Sequence, residues 1–418
     1  MADESHVHKY KDFDVLIIKS GASYVARVLK SPGGEARCEF EKRPVAAAEV
    51  KKFSDEILIH AAAARRVDRP DAAAAKRLGE KLYSALFQGS VLSCYERSLQ
   101  QCLETEGLRL RLRFQECAEL MNVPWELLYD RHNDNFLGMA PRTPIVRYIE
   151  LGQPVAPLVV SGRLKVLVVM ASPRIPGLSH LKIQSEFKDL KKALTELAAV
   201  GRVEITELNH ASIQSLQELL NAKVFHVIHF IGHGTFDEAR GEGSLLFEGP
   251  GRSRQDVSGA QLGIVLQSRR ARLVVINSCD GAKADAKDPF SGVAQSLVQK
   301  GIPAVVAMQF SITDEAALAF SRVFYRSIAE GVPVDRAVTN ARQSIMFSNW
   351  LEWATPVLYL RAEHGDLFDF RSGEGVSALP PSTAIDAAGP RPSRQSAFGP
   401  DGDPQHDLPG PALAPAGF

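Results

Sequence analysis

Two segments decide the fold: FHVIHFIGHG at residues 225–234 and LVVINSCDGA at residues 273–282. Each begins with a short apolar run typical of a buried strand. The first ends in His233-Gly234, and the second ends in Cys279-Asp280-Gly281-Ala282. Four further apolar runs are also typical of buried strands, which makes six in all. The six runs are Leu164–Met170, Val203–Leu208, Phe225–Ile231, Leu273–Ile276, Ala304–Met308 and Pro356–Leu360.

Helical patterns separate these runs, at about residues 179–199, 212–222, 259–268, 290–300, 313–330 and 333–347. Short apolar strands that alternate with amphipathic helices predict an α/β fold, a mainly parallel sheet flanked by helices. Functional residues gather at the carboxyl ends of such strands. We therefore expect His233 and Cys279, which follow two of the strands, to meet at one rim of the sheet.

The rest of the chain divides into two regions. Residues 1–160 are predicted to form an α+β accessory or regulatory region, with two helical patterns at about 46–65 and 71–88. Its first strand patterns are separated by turns at residues 21–23 and 31–34. The alternating Leu and Arg of Leu108–Phe114 predict a half-buried strand, and Pro124 predicts the start of a short helix. Residues 161–368 hold the alternating pattern. Residues 369–418 are rich in Pro and Gly and nearly lack large apolar side chains, so this tail is predicted to be disordered.

The composition excludes several classes of function. Lys+Arg and Asp+Glu are both 49, so the charge balance gives no reason to expect binding to nucleic acid or an anionic membrane. The chain has no apolar run long enough to span a bilayer and no phosphate-binding GxxxxGK[ST] loop. The five cysteines form no CxxC pair, which predicts free thiols in a reducing, cytoplasmic setting.

Cys279 and His233 are the residues with the clearest chemistry. A cysteine attacks as the thiolate, and a neighbouring imidazole can take the thiol proton to form a thiolate–imidazolium pair. A backbone N–H at Gly234 and another at Cys279 are candidates to hold the oxyanion that forms on the attacked carbonyl. We expect Gly234 to form a tight turn as well. This chemistry requires no cofactor.

The two segments resemble the histidine and cysteine strands of CHAT domains, a family related to caspases and separases. The spacing of 46 positions from His233 to Cys279 is close to the roughly 50 that separate the pair in caspase-like enzymes. The likeness extends over about residues 105–362, including the segments Leu108–Phe114 and Pro124–Asp130. One departure is Asn277-Ser278 before the cysteine, where Ser-Ala is common in the family.

The resemblance implies a caspase-like cysteine endopeptidase that cuts protein substrates. It also implies regulated proteolysis in a bacterial defence, stress or cell-death pathway, with protein partners that control activity. Separases prefer a basic residue before the scissile bond, and Asp314 resembles the acidic position that would receive it. Asp280, beside the nucleophile, is a second candidate. Thr313 before Asp314 also has the pattern of a helix N-cap, which leaves both roles open for Asp314.

Three alternatives compete with this interpretation. The first is a catalytically idle caspase-like scaffold or sensor, although the chain retains both His233 and Cys279. The second is another thiol enzyme, such as an acyltransferase. The third is a zinc site at His226, His229 and His233, which strand geometry opposes because residues three apart point to opposite faces. We therefore predict no metal site, and we expect His229 to pack against or orient the strand that carries His233.

Overall fold

The structure is a computed structural model that describes residues 9–63, 72–150, 152, 155–175, 181–237, 242–267, 269–278, 289–348 and 351–370. Contacts divide the chain into two units, Met1–Ser377 and Ala378–Phe418, and every described residue belongs to the first. The predicted disordered tail therefore lies, from residue 371 onward, outside the described residues.

The first described residues form an antiparallel meander of β1 (Lys9–Ser20), β2 (Ser23–Lys30) and β3 (Ala36–Phe40). Gly21, with a φ of +62°, lies in the turn between β1 and β2, and Gly34, with a φ of +97°, lies in the turn before β3. Residues with a Cβ rarely adopt such angles, so glycine is what permits these short turns. The turns predicted from the sequence are confirmed.

Three helices follow: α1 (Ala47–Ala63), α2 (Ala73–Leu86) and α3 (Gly89–Gln100). The sequence predicted α1 and α2 but missed α3. The buried face of α3 has helical spacing, but it includes Cys94 and Ser98, so its apolar pattern is weak. The hydroxyl of Ser98 donates to the carbonyl of Cys94 at 2.7 Å and accepts the N–H of Gly33 at 3.0 Å. Local hydrogen bonds thus satisfy a polar side chain on the packed face.

The next strand, β4 (Glu106–Gln115), lies in the sheet between β1 and the strand Ile145–Tyr148. Its alternation of Leu and Arg predicted a half-buried strand, which is wrong: Arg109 is 2% exposed and Arg111 is 4% exposed. Arg109 pairs with Asp12 of β1 at 2.6 Å, and Arg111 pairs with the same carboxylate at 3.0 Å. Arginine can be buried here because β1 supplies carboxylates beside it.

Short elements connect this region to the main alternating pattern. A 3₁₀ turn at Trp125–Leu127 follows Pro124, as the sequence predicted. The remaining short elements are α4 (Ala118–Met121), β5 (Tyr129–Asp130), β6 (Asn135–Phe136), β7 (Ile145–Tyr148) and β8 (Leu158–Val160).

From residue 164 onward, all six predicted strands and all six predicted helices are present. The elements are β9 (Leu164–Met170), α5 (Leu181–Ala199), β10 (Val203–Leu208), α6 (Ile213–Ala222), β11 (Val227–Gly232), β12 (Gly234–Asp237), β13 (Glu242–Glu248), β14 (Arg254–Ser258), α7 (Gly259–Leu266), β15 (Leu273–Ser278), α8 (Pro289–Gln299), β16 (Ala304–Met308), α9 (Asp314–Ala329), α10 (Val334–Ser348), β17 (Pro356–Leu360) and β18 (Phe368–Phe370).

Eleven strands form one mixed sheet in the order β10-β9-β11-β15-β16-β17-β7-β4-β1-β2-β3. The five strands from β10 to β16 are parallel to one another, and β17 is antiparallel to β16. Strands β12, β13 and β14 form a separate antiparallel sheet. The predicted α/β class, a mainly parallel sheet flanked by helices, is confirmed.

The two faces of the parallel part are covered by different helices. On one face, Ile228 and Phe230 of β11 belong to a buried apolar cluster that includes Leu216 of α6, Leu262 of α7 and Val293 of α8. Side chains alternate along a strand, so His229 and Ile231 point to the opposite face. Helices α5 and α9 pack together on that second face, and α10 packs against α9.

A buried ionic cluster joins the Trp125–Leu127 turn to the end of β16. Glu126 is 0% exposed and its carboxylate pairs with Arg147 of β7 at 2.8 Å. The same carboxylate accepts an N–H of Gln309, the residue after β16, at 2.9 Å. Arg342 of α10 is also buried, and its guanidinium donates to backbone carbonyls of Gly138 and Pro356. The segment before residue 160 is thus bonded to the sheet that carries the candidate site.

Candidate active site

His233 directly follows β11, which lies between β9 and β15 in the sheet. The residue is 4% exposed. Its carbonyl accepts the backbone N–H of Leu246 on β13 at 2.9 Å, which ties this position to the small antiparallel sheet. His233 therefore lies at the carboxyl edge of the parallel strands, at the strand end that the sequence predicted.

The glycine before His233 is required by packing. A Cβ added at Gly232 would lie 2.9 Å from the carbonyl oxygen of Ala171, just after β9, and 2.7 Å from the ring of Phe230. Side chains do not normally pack at such distances, and the carbonyl is a backbone atom that cannot swing away. Glycine at 232 lets β11 end close to the end of β9 and so fixes where His233 begins.

The strand that precedes the predicted nucleophile pairs with β11 in parallel register. Val227 is opposite Leu273, and the ladder continues to Gly232 opposite Ser278. Cys279 and Asp280 lie outside the described residues, as does the following glycine at 281. The described register therefore reaches the residue just before each member of the predicted pair, His233 on one strand and Cys279 on the other.

Gly234 begins β12 and is opposite Leu245 of β13. The expected tight turn at Gly234 is wrong, because the residue starts an extended strand. The N–H of Leu246 donates to the carbonyl of His233, which makes Gly234–Leu245 a non-hydrogen-bonded pair of the antiparallel ladder. In such a pair the N–H points away from the partner strand. The Gly234 N–H thus takes no part in pairing with β13.

Asp314 is the first residue of α9 and is exposed. The hydroxyl of Thr313 accepts the N–H of Ala316 at 3.3 Å, so Thr313 is the N-cap that the sequence predicted. The carboxylate of Glu352 accepts both the N–H and the hydroxyl of Thr313, at 3.0 and 2.8 Å. Since α9 follows β16, which is parallel to β15, Asp314 lies at the same edge of the sheet as His233.

Glu186 of α5 is an acidic residue that sequence reasoning missed. It is 6% exposed, and burial, reinforced by the charges of Asp314 and Asp189, raises its pKa to about 8. A signal was present, because Glu186 falls on the buried stripe of α5 that includes Ile183 and Leu190. An acidic residue at helical spacing within an apolar stripe indicates a buried carboxyl group.

His229 is a structural histidine of β11, and its side chain lies on the face of the sheet that α5 and α9 cover. It is 2% exposed, and its Nδ1 lies 2.7 Å from the hydroxyl of Tyr325 on α9. Burial lowers its pKa from 6.5 to about 3, so the folded protein holds this imidazole neutral. This contact agrees with the expectation that His229 packs and orients the strand that carries His233.

The buried neutral state of His229 has a consequence for stability in acid. The unfolded state binds a proton near pH 6.5 and the folded state only near pH 3, so stability falls as pH is lowered between these values. From pH 7 to pH 5 we expect His229 alone to lower the free energy of unfolding by about 2 kcal/mol. Urea unfolding at both pH values, on wild type and His229→Gln, measures this. An equal pH difference in the two proteins would contradict it.

His226 does not join the other two histidines. Its Nδ1 accepts the backbone N–H of Lys165 at 3.1 Å, and burial lowers its pKa to about 4. Within the described ranges, no group of three or more His, Cys, Asp or Glu side chains is arranged to hold a metal ion. His226 and His229 thus make separate contacts, with the backbone of β9 and with Tyr325.

The four described cysteines are free thiols in protein contacts. The Sγ of Cys117 lies 3.3 Å from the carbonyl oxygen of Ile17, and the Sγ of Cys38 lies 3.5 Å from that of Leu86. Burial raises the pKa of each of these two thiols to about 11. At neutral pH both are therefore protonated and weakly nucleophilic.

The sequence model of the CHAT domain matches residues 76–359, more than half of the chain. The chain therefore belongs to the CHAT domain family, which confirms the resemblance found in its histidine and cysteine segments. No curated protein matches the chain at a significant level.

None of the helices that the structure describes combines the length and apolarity that crossing a membrane requires.

Solved structures similar to this one include separase and gingipain R. Separase in the Saccharomyces cerevisiae separase–securin complex matches with a TM-score of 0.37 and 16% identity, covering 76% of this chain and 22% of separase. The Arg-specific cysteine proteinase gingipain R matches with a TM-score of 0.43 and 9% identity, covering 88% of this chain and 79% of gingipain. A complex of Porphyromonas gingivalis RgpB pro- and mature domains matches at 0.36 and 10%, covering 77% of each chain. This chain thus spans about a fifth of the separase chain.

Proposed function

We propose that the protein is a cysteine endopeptidase in which Cys279 attacks a peptide carbonyl and His233 transfers the proton. The observation that carries this proposal is the register of two neighbouring parallel strands, with Gly232 opposite Ser278. The residues that follow these two positions are His233 and Cys279.

The proposed reaction uses groups of this chain alone. His233 takes the thiol proton, and the thiolate of Cys279 adds to the carbonyl carbon of the scissile bond. The N–H groups of Gly234 and Cys279 donate to the oxyanion; the direction of the Gly234 N–H, away from β13, supports its part. His233 then gives its proton to the departing amine, and water hydrolyses the thioester to free the enzyme.

We further propose that the substrate carries a basic residue before the scissile bond. Asp314 is exposed at the carboxyl edge of the sheet, and Glu186 and Asp189 approach it from α5. A cationic side chain in this position would meet several carboxyl groups, which favour binding through charge-assisted hydrogen bonds. Asp280 remains a candidate beside the nucleophile, although it lies outside the described residues.

The proposed regulation is that of a latent enzyme controlled by protein partners, in the cytoplasm, within a bacterial defence, stress or cell-death pathway. The family membership supports regulated proteolysis, and the four free thiols among the described cysteines suit a reducing compartment. The segment before residue 160 is the proposed receiver of the signal, because the Glu126–Arg147–Gln309 cluster bonds it to the end of β16.

Cleavage of a peptide panel tests the proposed activity. The panel places Arg, Lys, Asp, Leu or Met before a fluorogenic bond, and it is run on wild type, Cys279→Ala and the control Cys102→Ala. We expect cleavage that Cys279→Ala abolishes and Cys102→Ala preserves, with a new amino terminus in each product. Acyl transfer without a new terminus would indicate an acyltransferase. A wild type that cleaves nothing, with or without candidate partners, would indicate an idle scaffold.

Neutralising Asp314 tests the basic preference. We expect Asp314→Asn to lower kcat/KM for the Arg peptide by about 10- to 100-fold, because a charge-assisted hydrogen bond contributes about 1.5–3 kcal/mol. The Leu peptide should be affected little. Glu315→Gln, which removes the neighbouring exposed carboxylate of the same helix turn, is the matched control. An equal loss in both variants would show that Asp314 acts only through the field at the helix terminus.

A further inference from the structure

Glu186 is buried in a way that is costly for an acidic side chain. It is 6% exposed, and within the described part of the chain its Oε1 has no hydrogen-bond partner. Buried polar atoms almost always have a partner, because burying one without compensation costs about 1–3 kcal/mol. An unsatisfied carboxyl oxygen inside a folded enzyme therefore indicates a group that awaits a ligand.

The charged groups that surround Glu186 are acidic. Asp189 lies one turn further along α5, and Asp314 approaches from α9. Two basic side chains of the packed helices have acidic partners: Lys191 of α5 pairs with Glu207 of β10 at 2.9 Å, and Arg322 of α9 pairs with Glu196 at 3.2 Å. Strand β11 presents His229, which burial holds neutral. The group of Glu186, Asp189 and Asp314 is hereafter the acidic subsite.

The acidic subsite lies on two helices that begin at the same edge of the sheet as the proposed catalytic histidine. Helix α5 begins after β9 and helix α9 begins after β16, so the amino-terminal ends of both helices lie at the carboxyl edge of the parallel strands. Both helices cover the face to which His229 and Ile231 point. His233 follows Ile231 by two positions, directly after the same strand.

We propose that Glu186 is the buried specificity carboxyl of the acidic subsite, and that it binds the guanidinium or ammonium of the substrate residue before the scissile bond while releasing its own proton. The proposal rests on the proposed peptidase function and adds to it the residue that reads the substrate charge. Asp314 attracts the cation at the surface, and Glu186 pairs with it at the buried end.

Proton release follows from the charges of the subsite. In the empty protein, burial and the two neighbouring carboxylates raise the pKa of Glu186 to about 8, so at pH 7 roughly nine molecules in ten hold the proton. A bound cation supplies the missing charge and favours the carboxylate. Affinity for a basic side chain should then rise about 50-fold from pH 6 to pH 8, because only the ionised fraction pairs with the cation.

Calorimetric titration of the Cys279→Ala protein tests this without requiring catalysis. The probe is N-acetyl-arginine amide, which has no other group that titrates between pH 6 and pH 8, and N-acetyl-citrulline amide is its neutral counterpart. Comparison of the binding heats measured in phosphate and in Tris gives the number of protons that binding releases. We expect about 0.9 proton released at pH 7 and the pH-dependent affinity above. Adding Glu186→Gln should abolish both, whereas adding Glu196→Gln, on the exposed side of α5, should change neither.

Two results would overturn the proposal: unchanged proton release in the Glu186→Gln protein, or no preference for the arginine probe over the citrulline probe at any of these pH values. The peptide panel separates this failure from failure of the peptidase. Cys279-dependent cleavage after neutral residues only would leave the peptidase standing and remove the subsite. Proton-linked binding of arginine without any cleavage would support the subsite and remove the peptidase.

Discussion

Substitution of His233 with alanine is expected to lower kcat for peptide cleavage by about 10³-fold, the contribution typical of a positioned general acid–base. Without the imidazole, the thiol of Cys279 keeps its ordinary pKa near ~8.5 and is mostly protonated at pH 7. The departing amine also loses its proton donor. KM should change little, because the acidic subsite is intact. Stopped-time assays with the Arg peptide at saturating substrate measure both parameters.

The pH profile distinguishes this loss from simple misfolding. The residual activity of His233→Ala should rise between pH 7 and pH 9, because the thiolate then forms without help from a base. His132→Ala, which truncates an exposed histidine of the Tyr129–Phe136 hairpin, is the matched control and should retain wild-type kcat. A His233→Ala protein with more than a tenth of wild-type kcat would remove His233 from the mechanism.

Glu126→Gln is expected to destabilise the protein by about 3–5 kcal/mol, the cost of breaking a buried ion pair from one side. Arg147 is 1% exposed and pairs with the Glu126 carboxylate at 2.8 Å. The guanidinium of Arg342 is fully buried and donates to backbone carbonyls, and the charge of Glu126 stabilises its protonated form. Burial already lowers the pKa of Arg342 to about 10. Glutamine preserves the shape of the side chain but removes the negative charge that compensates two buried cations. Urea unfolding at pH 7 measures the change.

Glu35→Gln provides the comparison at the surface. Glu35 pairs with Arg27 at 3.6 Å, and its side chain is 69% exposed, so solvent screens the pair. We expect a change below about 1 kcal/mol. If Glu126→Gln proved no more costly than Glu35→Gln, the cluster that joins the segment before residue 160 to β16 would carry no significant stability.

The sequence predicted the parallel part of the sheet well because its strands are buried on both faces. Such strands are continuous apolar runs, and amphipathic helices with clear spacing lie between them. The region before residue 160 was harder to predict. In β4, Arg109 and Arg111 looked like solvent-facing positions. Carboxylates far away in sequence, those of Asp12 on β1 and Asp335 on α10, show why they are buried.

The features of the candidate site also divide into those that a local sequence pattern predicts and those that depend on contacts between distant residues. The strand-end position of His233 follows from a local pattern, and the N-cap at Thr313 follows from another. The role of Gly232 does not, because it depends on the carbonyl of Ala171 at the end of another strand. Glu186 and Asp314 are 128 positions apart in the sequence, and packing of α5 on α9 brings their charges together. Long-range contacts of this kind have no local signature in a single sequence.

Covalent labelling with an arginyl peptide chloromethyl ketone tests the Cys279–His233 pair most directly. A thiolate displaces the chloride to form a stable thioether, and peptide mapping by mass spectrometry identifies the cysteine that carries it. The account predicts one adduct per chain, on Cys279, formed much more slowly in His233→Ala. Cys38 and Cys117 should remain unlabelled, because burial raises their pKa to about 11. Label distributed over the five cysteines, or a rate on Cys279 that does not depend on His233, would contradict it.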